Sequence, residues 1–323
     1  SLASPMEVAI REPEICASCR TRDCIVGKYE KPRGLDTGAG ALRPSERGKL
    51  LQNGCELWLY QETKVGNMDC TFCMECIHAC PYDNIGILGR PPAQELWEDP
   101  NRAGLGRFSR RPDLAALVVF LTFAAFMNAF GMVTPVYALE AWMARVTGIQ
   151  SEPILMGVLF LAGMILLPAI LLGVTAKASA TLSRSGHSVV QEGTRYAYAL
   201  VPIGFGMWAA HYLFHFLIGG LTIVPLAQEY LSFLGFSFGG SPSWALGSLI
   251  PEQFLLPIEF FFLELGLFVS FVVAFRIALR EVGPGGRALR ATAPWALLAT
   301  ALSLAGVWLL LQPMEMRGTF MGG

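Results

Sequence analysis

The decisive stretch is Cys70-Thr-Phe-Cys73-Met-Glu-Cys76-Ile-His-Ala-Cys80-Pro81. Four thiols follow one another at the spacing C-x2-C-x2-C-x3-C, and a proline closes the run. Such spacing belongs to chains that wrap a [4Fe–4S] cluster. The two-residue gaps let a tight loop offer three sulfurs to one cubane and turn backbone N–H groups toward it. The fourth thiol starts a helical turn that points away, and in two-cluster chains it ligates the other cluster. Pro81 fixes φ and removes an N–H just past that thiol, which leads the chain off the cluster. The bland alternatives are a disulfide framework and a zinc site, but zinc ribbons use two separated C-x2-C pairs.

Upstream, Cys16-Ala-Ser-Cys19-Arg-Thr-Arg-Asp-Cys24 adds a C-x2-C-x4-C set, and Cys55 stands alone in Asn53-Gly-Cys55-Glu-Leu-Trp58-Leu-Tyr60. Eight thiols are the number two cubanes need. Crossover logic then assigns Cys55, Cys70, Cys73 and Cys76 to one cluster and Cys16, Cys19, Cys24 and Cys80 to the other. The x4 gap and the missing proline after Cys24 depart from the pattern, so a zinc site or stray structural thiols remain the alternative for the second set. Residues 1–15 read as a linker or docking arm and residues 28–49 as a Gly-rich loop. Residues 53–60 read as a short helix or strand packing aromatics near the clusters. His78, inside the run, either tunes a cluster by hydrogen bonding or is a surface residue.

Composition splits the chain in two. Of 323 residues, 53% are hydrophobic and only 15% charged, too apolar for an ordinary soluble protein. Residues 1–111 hold 15 of the 24 Lys+Arg, 15 of the 25 Asp+Glu and all eight cysteines. The expected organisation is therefore a polar cysteine domain over 1–111 and a transmembrane domain over 112–323. A net charge of −1, with no basic stripe or recognition motif, offers nothing to a nucleic acid. The chain begins with Ser1 and shows no signal peptide, so a native N-terminal segment is expected to precede it.

Five apolar segments, at about 113–135, 154–176, 197–223, 254–277 and 292–311, approach the roughly 20 residues that a bilayer core demands. Pro112 and Pro153 suit helix starts, while Pro168, Pro202 and Pro257 fall inside spans and predict kinks. The Gly/Ser-rich stretch 236–248 reads as an interfacial loop anchored by Trp244. Arg107, Arg110, Arg111, Lys177, Arg184, Arg195, Arg276, Arg280, Arg287 and Arg290 fall on one side; only Arg145 and Arg317 fall on the other. By the positive-inside rule the cysteine domain faces the cytoplasm and the C-terminus lies outside. A reducing cytoplasm also suits clusters over disulfides.

Two spans carry ionisable groups, which are functional suspects at such depth. His211 and His215 share a face of the third span at i,i+4. Glu259 and Glu264 sit in the fourth. Counting from the span ends pairs His211 with Glu264 and His215 with Glu259. Three readings stay open: hydrogen bonds between helices; a quinone or proton-relay site; and a metal or haem site. Two-His haem ligation takes one His from each of two helices, so haem here needs Met, a partner subunit or an open position. Met127, Met132, Met156, Met164 and Met207 read as apolar packing, and His187 as a solvated loop residue.

The run from Cys70 to Pro81, beside several spans, resembles the membrane-bound ferredoxin-type proteins of the NosR, NapH and RdxA group. With Asn84-Ile-Gly-Ile and Arg107-Phe-Ser-Arg-Arg-Pro-Asp it is more similar still to FesM-like membrane iron–sulfur proteins. The matching motifs cover about a fifth of the chain. The resemblance implies electron transfer between a quinone pool or membrane partner and a soluble or peripheral redox enzyme, with further spans before the clusters. The expectation is thus a mainly α protein, with about five transmembrane helices and an N-terminal ferredoxin-like domain holding two [4Fe–4S] clusters. It would sit in a bacterial inner membrane as a subunit of a larger redox complex, with quinone or haem as further candidate cofactors. No nucleophile–base pair, phosphate loop or nicotinamide fingerprint is present in the sequence. The competing classes are a quinone oxidoreductase with its own His/Glu site and an iron–sulfur redox sensor.

Overall fold

A computed structural model describes residues 4–30, 48–102, 105–236 and 242–313. The chain divides into two compact units, Ser1–Arg110 and Arg111–Gly323.

In the first unit, β1 (Met6–Ile10) pairs antiparallel with β4 (Ile85–Gly89), and β2 (Lys28–Tyr29) with β3 (Leu50–Gln52). Outer strands pair with each other and inner strands with each other. Cys16, Cys19 and Cys24 therefore lie between β1 and β2, and the other five thiols between β3 and β4. Alternation along Met-Glu-Val-Ala-Ile buries Val8 against Cys24, Cys76 and Ile85 in a small core. The segment expected to be a linker is thus a structural strand and the start of α1 (Pro13–Ser18). The expected Gly-rich loop begins instead with β2, and its residues 31–47 lie outside the described residues. Two more short helices, α2 (Asp23–Val26) and α3 (Glu75–Ala79), carry Cys24 and Cys76. The helical turn in the decisive run therefore precedes Cys80 rather than starting there. Cys80 is already extended (φ −68°, ψ 117°), as a residue before proline must be.

A buried ion cluster closes this unit. Glu95, on α4 (Gln94–Glu98), takes Arg90 Nη1 at 2.8 Å and Arg102 Nη2 at 2.5 Å. Arg90 also reaches Glu7 on β1 at 3.0 Å, and Arg102 lies over the Phe108 ring. Arg90, Arg102 and Phe108 are thereby tied, through Glu95 and Glu7, to β1.

The second unit is helical: α5 (Pro112–Phe130), α6 (Thr134–Thr147), α7 (Glu152–Leu161), α8 (Leu167–Ser183), α9 (Val189–Tyr196), α10 (Val201–Gly219), α11 (Ile223–Phe233), α12 (Leu255–Val282) and α13 (Gly286–Leu310). Among the described residues, five helical stretches are long and apolar enough to cross a membrane. They are Pro112–Phe130, Glu152–Ser183, Val189–Phe233, Trp244–Val282 and Gly286–Leu310.

The prolines act as helix starters more than as kinks. Pro168 is the second residue of α8 and follows a π-helical stretch, Ala162–Leu166, whose wider turn relieves the clash that a proline ring makes one turn back. Pro202 and Pro257 stand in the first turns of α10 and α12, each after a 3-10 turn, where the missing N–H costs least. Pro294 is inside α13. Of the expected interfacial loop, residues 237–241 lie outside the described residues, and Trp244 opens an exposed 3-10 turn. Met127 and Met207 are buried against Gly163 and Gly306.

The helices α10 and α12 approach closely because both carry glycine at the crossing. A Cβ on Gly206 would meet the Phe262 carbonyl at 2.6 Å, and one on Gly266 would meet the Pro202 carbonyl at 2.6 Å. Small residues at such contacts are how helices associate without a hydrophobic driving force. At one end of the unit basic residues gather. Arg195 pairs with Glu281 at 2.8 Å, and Arg280 with the same carboxylate at 2.9 Å. Arg287 caps the Ser183 and Arg184 carbonyls ending α8. Tyr198 bonds the Arg111 carbonyl opening α5. His187, expected in solvent, instead reaches the buried Glu192 at 2.9 Å, which also accepts from Ser179.

Candidate metal centres

The eight thiols fall into two sets of four. A small cavity is lined by Cys16, Cys19, Cys24 and Cys80, with Tyr60, Asn84 and Ile85. Burial first, then the neighbouring Cys80, Cys19, Cys76 and Cys16, push the Cys24 thiol up to about 12. Cys16 is raised chiefly by burial, offset in part by an Asn84 hydrogen bond. The second set is read from Cys76, pushed up to about 11 by burial and then by Cys55, Cys70 and Cys73. Cys80 thus shares a cavity with three thiols far upstream, and Cys55 acts on Cys76 together with Cys70 and Cys73. Among the described residues, no three His, Cys, Asp or Glu converge closely enough to hold a single metal ion.

The backbone around these thiols is bent in a particular way. Among the described residues, eight non-glycine residues have positive φ, and five of them stand within three positions of a cysteine. They are Arg22, Trp58, Phe72, Met74 and Asp83, with φ between 49° and 64°. Each such conformation costs roughly 1–2 kcal/mol for an L-residue. Strain of this kind collects at functional sites, and αR–αL turns create the N–H-lined concavities that bind anions and iron–sulfur groups. The donors are in place. Leu59 N–H points to Cys55 Sγ, Phe72 N–H to Cys70 Sγ and Asn84 N–H to Cys80 Sγ, each at 3.4 Å. Thr21 Oγ1 lies 3.5 Å from Cys19 Sγ.

Asn84 is the residue that sequence reasoning missed. Its side chain is buried and fully used. Nδ2 donates to Cys16 Sγ at 3.2 Å and to the Glu12 carbonyl at 2.8 Å, while Oδ1 accepts from Glu12 N–H at 2.9 Å. The one sequence signal was a polar residue standing directly before the apolar strand Ile85–Gly89. Tyr60 supports the same site by donating to the Cys16 carbonyl at 2.9 Å. Exposure is uneven: Cys16, Cys24 and Cys76 are buried, and Cys73 alone of the eight thiols is exposed. Trp58 and Met74, beside Cys55 and Cys73, are exposed as well. His78 is exposed on α3.

In the helical unit the expected His–Glu pairing changes. Glu264 accepts from Ser303 Oγ of α13 at 2.8 Å. Gly206 lies against Leu263 and Gly266, and Ser270 Oγ meets the Ile203 N–H. Carried along the antiparallel pair, that register sets His211 level with Glu259 and His215 level with Leu255. Counting from span ends misjudged depth because α12, at 28 residues, is longer than the 19-residue α10. His211 and Glu259 are each 2% exposed. Among the described residues His211 Nδ1 and Glu259 Oε1 have no hydrogen-bond partner. The His215 ring stands edge-on to His211, centroids 4.8 Å apart.

No protein-family model matches the chain, and no curated protein or solved structure matches it either.

Proposed function

We propose that the chain is a membrane-anchored electron-transfer protein whose N-terminal unit is ferredoxin-like and holds two [4Fe–4S] clusters. Cys16, Cys19, Cys24 and Cys80 would hold one; Cys55, Cys70, Cys73 and Cys76 the other. The observation that carries the proposal is the sorting of eight thiols into two sets of four, each set completed by a distant thiol and served by N–H donors. The donor chemistry fits: burial first, and then neighbouring thiols, disfavour the thiolate at Cys16, Cys24 and Cys76, and iron would relieve that penalty while N–H···S bonds spread the remaining charge. Bound clusters supply one-electron exchange. The chain's own groups set where it happens. Exposed Cys73 makes its set the exchange point with a soluble donor or acceptor, since no thiol of the other set is exposed.

The basic end of the helical unit, with Arg111, Arg184, Arg195, Arg280 and Arg287, supports placing the N-terminal unit on the cytoplasmic side of a bacterial inner membrane. The membrane-side counterpart would be another subunit or a quinone pool. Paired cysteine variants test the assignment. Cys55→Ala with Cys73→Ala should leave about four iron per chain, because both thiols serve one cluster. Cys80→Ala with Cys73→Ala should leave almost none. The reverse pattern would show that the run Cys70–Cys80 serves a single cluster.

A further inference from the structure

We propose that His211 and Glu259 form a proton-exchange site inside the membrane-spanning unit, storing one proton between an imidazole and a carboxyl group and opening through His215. The geometry comes from three observations. Both side chains are almost completely buried, and each keeps one polar atom without a partner among the described residues. The close glycine contacts of α10 and α12 fix the register of the antiparallel pair, and carried along it that register brings His211 and Glu259 to one level. The half-buried His215 ring contacts His211 one turn farther along α10, toward the level where α12 begins.

The surroundings fix the proton count. Glu264 is tied to Ser303 and lies more than one turn away along α12. The charged residues of α5 and α13 stand at one end, at Asp113 and at Arg287 and Arg290. On α12 the remaining charges, Arg276, Arg280 and Glu281, are at its far end, and Glu252 is exposed in the turn before it. Glu229 is exposed on α11. Among the described residues of α5, α11, α12 and α13, no fixed cation or anion therefore compensates the pair. A lone carboxylate would be an unpaired charge in an apolar interior, and so would an imidazolium beside a protonated carboxyl. Imidazole with carboxylic acid carries no charge, and it is the resting form because imidazolium with carboxylate would bury two ions in an apolar interior. The pair thus gains or loses a proton only in exchange with its surroundings, and no electron or bond other than N–H or O–H is involved. Metal-free protein carries this site as fully as cluster-loaded protein, so its test is separate from that of the clusters.

Infrared difference spectra of the full chain in lipid nanodiscs, recorded in H2O and D2O, test the proposal. The wild type should show the C=O stretch of a protonated carboxylic acid that moves down on deuteration. Glu259→Gln should remove that band and Glu264→Gln should leave it. His211→Gln should keep the band but shift its titration with pH. His215→Leu should slow its exchange about tenfold. Circular dichroism and gel filtration verify folding; if Glu259→Gln does not fold, Glu259→Asp must move the band's frequency. A wild type without the band, or a band unchanged in the folded Glu259 variant, would overturn the proposal. So would a quinone recovered stoichiometrically from solvent extracts of the wild type and lost in His211→Gln, which would assign the two atoms to a bound headgroup.

Discussion

Replacing Asn84 with alanine separates a cluster-tuning role from a merely structural one. The substitution removes three hydrogen bonds: two to the Glu12 backbone, at 2.8 and 2.9 Å, and one to Cys16 Sγ, at 3.2 Å. A net hydrogen bond is worth about 1 kcal/mol, and stranding a buried partner costs about 1–3 kcal/mol. Of the partners Cys16 is buried but Glu12 is exposed, so water can replace the two backbone bonds and the sum falls near 3 kcal/mol, a large share of a stability of roughly 5–15 kcal/mol. The sulfur bond has a second consequence. An N–H donor favours the more negative, reduced cluster. Losing a preference of about 1 kcal/mol lowers a one-electron potential by about 40 mV, since 59 mV is tenfold. Only the cluster of Cys16, Cys19, Cys24 and Cys80 should move. Potentiometric titration followed by low-temperature EPR, with denaturant unfolding of the same full-length protein, reads both effects. Asn84→Asp keeps an acceptor for Glu12 N–H but faces Cys16 with a carboxylate, so its potential should fall further. If stability drops while both potentials stay put, or both clusters shift together, Asn84 does not act through Cys16 Sγ.

Other perturbations have expected outcomes of different kinds. Glu95→Ala strands the buried Arg90 and Arg102 guanidinium groups and should destabilise the N-terminal unit by about 3–5 kcal/mol, seen in denaturant midpoints; a change under about 1 kcal/mol would mean that the cluster of charges does not tie Arg90 and Arg102 to the fold. Gly206→Ala places a Cβ at 2.6 Å from the Phe262 carbonyl and should lower thermal stability of the helical unit by about 1–3 kcal/mol, whereas Gly157→Ala, facing open space, should not. Cys24 and Cys76 have folded thiol values of about 12 and about 11, above the ordinary thiol value. For such raised acids, the stability is fully present below about pH 8.5 and is lost as pH climbs through the folded values. Metal-free protein should therefore melt at progressively lower temperature from about pH 9 upward, and a flat profile would contradict burial of these thiols.

What the sequence disclosed follows from how local each signal is. The cysteine run is a contiguous string, and the apolar segments are long and almost free of charge, so both are legible without tertiary knowledge. The strand Met6–Ile10 is not, because its partner Ile85–Gly89 lies some eighty residues away and only Val8 is deeply buried. The helices α6, α9 and α11 are short, at 14, 8 and 11 residues, and their sequences do not set them apart from the loops and spans beside them. His211 and Glu259 were recognisable as costly residues, but their common level depends on Gly206 and Gly266 letting two helices of unequal length touch at one register. The role of Asn84 is not legible for the same reason: it is defined by Glu12 and Cys16, 72 and 68 residues earlier.

The most direct measurement is the iron, zinc and acid-labile sulfide content of protein purified without oxygen, together with an EPR spin count after dithionite reduction. Two cubanes predict about eight iron and eight sulfide per chain, no stoichiometric zinc, and two reducible spins. Iron-free protein, zinc in place of iron and sulfide, or thiols joined to one another as disulfides would contradict the assignment of these cysteines to electron-carrying clusters.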